Sequence, residues 1–150
     1  MNAAEQATSL ELTTKIASVV TLFKAQFPMV RVDLKPWSND RETRSQLDPD
    51  SIDIGFHLPG WNPKYECRSM LVQMRFFTGG NFTDGNLTDG NSPRLIGLEV
   101  LGFSYNGEQW RLSTVGDWPV VGEKRPAEEK LDLLKTFCRQ VYELFNSPPR

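Results

Sequence analysis

Between residues 9 and 27 the apolar positions recur every three or four residues, with Leu12, Ile16, Val19, Val20, Phe23 and Phe27 forming one stripe. That spacing predicts an amphipathic helix. Thr8 and Glu11 stand at the offset of a capping box, and Pro28 ends the helix because it disfavours helical backbone in the residue before it. Residues 1–8 read as a frayed lead-in.

Past Pro28 the period falls to two. Val30, Val32 and Leu34 alternate with Arg31, Asp33 and Lys35, the pattern of a half-buried strand, which Pro36 terminates. Residues 37–51 are polar, with a turn at Asp48-Pro49-Asp50. A strand over Ile52–Leu58 runs into Pro59, Gly60, Trp61 and Pro63, where the prolines interrupt ladder pairing. Over 66–77, Met70, Val72, Met74 and Phe76 share one face of a further strand, and Leu71, Gln73, Arg75 and Phe77 share the other. The Asn-, Asp- and Gly-rich run at 79–91, within a long hairpin loop over 78–93, follows.

Asn106-Gly107 between two β-rich runs predicts a two-residue type I′ hairpin, whose central positions both need positive φ. That turn sets Phe103 opposite Trp110 and Leu101 opposite Leu112 on an apolar face, with Gly102, Ser104, Gln109 and Arg111 behind. Pro126, Glu128 and Glu129 open a last helix, and a tail over 147–150 follows it. Its stripe of Leu131, Leu134, Cys138, Val141 and Phe145, flanked by Leu133, Phe137 and Leu144, is wider than one packing seam requires.

Strands that follow one another without intervening helices argue against a parallel α/β fold. The expected fold class is α+β, a two-layer sandwich: a mainly antiparallel sheet of about five strands with the N- and C-terminal helices on one face. A chain of 150 residues fits a single domain with its own core.

Composition adds exclusions. The 39% hydrophobic and 24% charged fractions are those of a globular protein. With 17 basic against 19 acidic residues, interspersed, nothing provides the electrostatic footing that nucleic-acid binding requires. No apolar run is long enough to span a membrane, and the N-terminus lacks the features of a signal peptide. Cys67 and Cys138 are too few for a disulfide scaffold and read as reduced thiols, so the expected compartment is cytoplasmic.

Candidate chemistry is sparse. There is no nucleophile elbow, phosphate loop, dinucleotide fingerprint or zinc-protease motif, and a single histidine with two distant cysteines makes no zinc site. The five-residue repeat at Asp84 and Asp89 matches no calcium loop, so neither metal nor cofactor is expected. His57 lies at a Pro/Gly bend where a general base or ligand could sit, and Trp61, Arg68, Arg75 and Arg111 lie near it or on strands of the less apolar face.

These five residues form the candidate ligand pocket, expected between sheet and helices. A different set, Trp61, Trp118, Leu144 and Phe145, combines aromatics at proline bends with the wide stripe of the last helix and suits docking of a protein partner or a second copy. The sequence therefore points first to a non-enzymatic interaction module, such as an adaptor, assembly factor or chaperone-like subunit. The alternative is a small-ligand-binding domain or minor enzyme near His57 and Arg75.

Overall fold

The computed structural model describes residues 1–37, 51–77 and 94–146. The elements run α1 (Ala3–Gln6), α2 (Leu10–Gln26), β1 (Arg31–Asp33), β2 (Ser51–Asn62), β3 (Cys67–Phe77), β4 (Arg94–Ser104), β5 (Gly107–Ser113), β6 (Val120–Gly122) and α3 (Glu128–Asn146). The polar segment with its Asp48-Pro49-Asp50 turn, the 78–93 loop and the 147–150 tail lie outside the described residues. The strands form one six-stranded antiparallel sheet in the order β1-β2-β3-β4-β5-β6, so each pairs with its neighbour in sequence. The extra strand relative to expectation is β6, three residues held against Trp110–Leu112.

Alternation along the strands divides the sheet into two unlike faces. On the first, Ile52, Ile54 and Phe56 of β2, Met70, Val72 and Met74 of β3, Leu98 and Val100 of β4, and Trp110 and Leu112 of β5 are buried. They share one core with Leu12, Ile16, Val19 and Phe23 of α2 and Leu134, Phe137, Cys138, Val141 and Phe145 of α3. Phe23 joins the layers: its ring stacks on Phe56 at 3.8 Å and meets Phe137 edge-on at 5.0 Å. Burial of about ten such side chains, each worth roughly 1.5–3 kcal/mol, is what holds the two layers together.

The helix starts differ from the capping box read at Thr8. Ser9 is the N-cap of α2, and its hydroxyl accepts the Leu12 N–H at 3.1 Å. The lead-in is docked, because Ala3 and Gln6 are buried in a short helix. Asn2 pairs with Asp53 beside β1, and the Ala4 N–H donates to the Leu34 carbonyl. At the other end of the chain, the Asn146 amide donates to and accepts from the Leu95 backbone at 2.9 Å each way, tying α3 to β4. Phe145 is 5% exposed and lies edge-on to Phe76, so it belongs to the core and offers nothing for docking.

The β4–β5 register is offset by one from the sequence expectation. Tyr105 and Asn106 form the turn, neither of them at positive φ, and Gly107 after them has a φ of +102°. A turn of this kind ends in a glycine bulge and is not type I′. Phe103 therefore faces Glu108, Gly102 faces Trp110, and Leu101 faces Arg111, with a bulge between the first two pairs. Trp110 explains the choice. Its fully buried indole covers Gly102 and donates to the Tyr65 carbonyl at 2.8 Å, and a Cβ on residue 102 would overlap the ring.

Gly102→Ala is expected to destabilise the domain by about 1–3 kcal/mol, the usual cost of overpacking, read as a lower urea midpoint. An unchanged midpoint would mean that Trp110 does not set this register.

Candidate functional site

Neither long helix covers the second sheet face. Cross-strand pairing lays its side chains out in rows: His57, Ser69 and Phe103; then Gly55, Leu71, Leu101 and Arg111; then Asp53, Gln73 and Glu99. Leu71 and Leu101 are nearly buried here, outside the main core. Beside them a cleft of about 240 Å³ is lined by Asp33, Pro36, Trp37, Gly55, His57, Ser69, Leu71 and Phe103. The pocket holding His57 thus lies on the side of the sheet away from the helices, whose own interface with it is filled by core side chains.

The N-terminal segment sets one wall of the cleft. The Asn2 side-chain amide accepts the Trp37 N–H at 2.9 Å and donates to its carbonyl at 3.2 Å. The Trp37 indole N–H donates to Asp53, whose carboxylate is 1% exposed and lies 3.1 Å from the Met1 ammonium. A buried carboxylate is tolerated only with such partners. Asp33 and His57 meet at the rim, with Oδ2 and Nε2 3.4 Å apart and each side chain about a third exposed (36% and 35%). His57 makes no hydrogen bond to Ser69 across the strands, so the pair lacks an activated nucleophile. Among the described residues no three His, Cys, Asp or Glu side chains come together as a metal site.

A second concavity, at the sheet end, is lined by Gly60, Trp61, Arg68, Ser104, Tyr105, Asn106 and Gln109. The Arg68 guanidinium lies 3.7 Å from the centroid of Tyr105, which is 84% exposed, and Trp61 beside it is 45% exposed.

The other candidates fall elsewhere. Arg111 and Arg75 flank the half-buried Glu99 at 3.6 and 4.0 Å, and Arg111 also pairs with Glu108 at 2.9 Å. Trp118 packs against the core with the Arg139 guanidinium 5.4 Å from its ring. Its φ of +56° is costly for so bulky a residue. Leu144 lines a shallow groove between α2 and α3 with Thr14, Ala17, Ser18 and Thr21.

The five residues of the candidate pocket are therefore divided among three places: His57 in the cleft, Trp61 and Arg68 at the sheet end, and Arg75 and Arg111 around Glu99. Asp33, Trp37, Leu71, Phe103 and Tyr105 were not singled out as ligand residues by sequence. Phe103 was misplaced by the one-residue register, while the Asp33–His57 pairing spans strands far apart in the chain.

Residues 4–147 match a protein family described as a domain of unknown function. The chain belongs to that family. No curated protein and no solved structure matches it. Among the described residues no helix is long and apolar enough to cross a membrane.

Both cysteines of the domain are free and buried. Burial pushes each thiol up to about 12, with Glu66 adding to the rise at Cys67 and Arg139 opposing it at Cys138. Neither is expected to react with an aromatic disulfide reagent at mildly alkaline pH until denaturant is added; rapid labelling of the native protein would contradict their burial. His57→Ala is expected to cost less than about 1 kcal/mol, because its one polar partner is a partly exposed carboxylate. A larger loss in thermal or urea unfolding would make His57 a structural residue.

Proposed function

We propose that this domain is a non-enzymatic protein-interaction module that docks a partner segment where Trp61, Arg68 and Tyr105 meet. The observation that carries this reading is the position of Arg68. It forms no ion pair with a carboxylate among the described residues, and its guanidinium rests on the ring of Tyr105. Lys64, Arg75 and Arg111, by contrast, all have acidic partners.

An arginine already ordered on an aromatic face loses less freedom when it takes a carboxylate, and its fork suits two parallel hydrogen bonds. Tryptophan, tyrosine and arginine are also the residue types that dominate interface energetics. The fitting partner is a segment with an acidic side chain beside an aromatic or aliphatic one. A second reading, a small-ligand-binding domain or minor enzyme, draws on the cleft at His57, where the histidine has a carboxylate neighbour but no hydrogen-bonded nucleophile.

Arg68→Glu and Tyr105→Ala are expected to leave the unfolding midpoint nearly unchanged, since Tyr105 is exposed and Arg68 has no ion pair to lose. Each is expected to reduce capture of partners that the unaltered protein retains from native lysate, with the charge reversal having the larger effect. Partners kept by both folded variants would refute docking at this surface.

A further inference from the structure

We infer that the cleft on the sheet face opposite α2 and α3 is a binding site for a planar cation, a guanidinium or amidinium group. This inference shares no residue with the docking surface at Arg68 and stands independently of it.

The walls come from Trp37, Phe103, Pro36 and Leu71, with Pro36 and Asp33 closing over Gly55. Trp37 is held at three points, by its backbone N–H and carbonyl on Asn2 and by its indole N–H on Asp53. An aromatic wall fixed before binding loses little conformational freedom when a ligand arrives. A volume of about 240 Å³ accommodates one flat group of ring size.

Charge selects the sign of that group. Among the described residues Asp33 is the one carboxylate lining the cleft, and no lysine or arginine lines it. Asp33 Oδ1 accepts the Lys35 N–H at 2.9 Å, while Oδ2 lies 3.4 Å from His57 Nε2, a long contact. A carboxylate has about four lone-pair sites, so acceptor capacity remains for two parallel N–H donors. The Ser69 hydroxyl and His57 Nδ1, neither engaged in a hydrogen bond among the described residues, supply further polar contacts at the same place. Aromatic faces favour a cation that stacks, and a flat guanidinium or amidinium stacks where a compact ammonium does not. An anion would meet the Asp33 carboxylate at the rim.

The test is an NMR titration of the full chain with benzamidine, N-acetylarginine methylamide, N-acetyllysine methylamide and benzoate, following the Trp37 indole N–H and the His57 backbone. Both planar cations are expected to give saturable shifts there, about tenfold tighter than lysine derivative or benzoate. Asp33→Asn is expected to weaken them by at least about tenfold while the rest of the spectrum is kept. Phe103→Leu, which keeps an apolar side chain but removes the ring face, is expected to weaken both planar cations towards the lysine derivative. Tighter binding of the arginine derivative assigns the site to an arginine side chain of a partner, and tighter benzamidine to a free small molecule. No saturable shift with either planar cation, equal binding of benzoate, or unchanged binding in both variants would overturn the assignment.

Discussion

The buried indole of Trp110 is the constraint on which the functional face depends. It needs a neighbour without a side chain, and Gly102 is the residue directly across the ladder. It also needs an acceptor, which the Tyr65 carbonyl supplies. Meeting both demands sets β5 against β4 in a single register. Because side chains alternate with period two, that register sends Leu101 and Phe103 to the face opposite Trp110. Phe103 then becomes a wall of the cleft and Leu101 part of its surroundings. A decision made in the core thus shapes the surface on the sheet face opposite the two long helices.

The cleft's other wall has an equally indirect origin. Trp37 follows Pro36 at the end of the segment leading out of β1, a place where backbone ordinarily has few partners. The first residues of the chain give it some, and Asp53, on the strand beside them, takes its indole N–H. The cost of burying the Asp53 carboxylate is offset by the hydrogen bonds and the ammonium that converge on it. Local order at the N-terminus and the shape of the cleft are therefore one feature.

The arginines show how neighbours decide the use of a side chain. Arg75 and Arg111 lie on the second face with Glu99 between them, and Arg111 reaches Glu108 as well. Their charges are spent within the sheet. Arg68 has an aromatic ring beside it and no acidic partner among the described residues. Residue type is the same in each case, and the adjacent strand supplies the difference.

The sequence alone determined the local elements and the class of fold. Heptad-like stripes, period-two runs and prolines depend only on residues near one another, and they specified both long helices, the principal strands and the antiparallel order. It also placed Gln73, Arg75 and Arg111 on a less apolar sheet face, since they alternate with core residues. The candidate site was legible only in fragments. His57, Trp61 and Arg68 stood out by rarity or position, but the partners of His57 and Arg68, Asp33 on β1 and Tyr105 in the β4–β5 turn, lie distant in the chain. A tight turn around Asn106-Gly107 was equally legible, yet only Gly107 of that pair takes positive φ, the register follows from how Trp110 packs, and one residue of register exchanges the faces. Only the tertiary structure decided those matters, because a cross-strand neighbour is fixed by the packing of the whole sheet and not by the residues on either side of it.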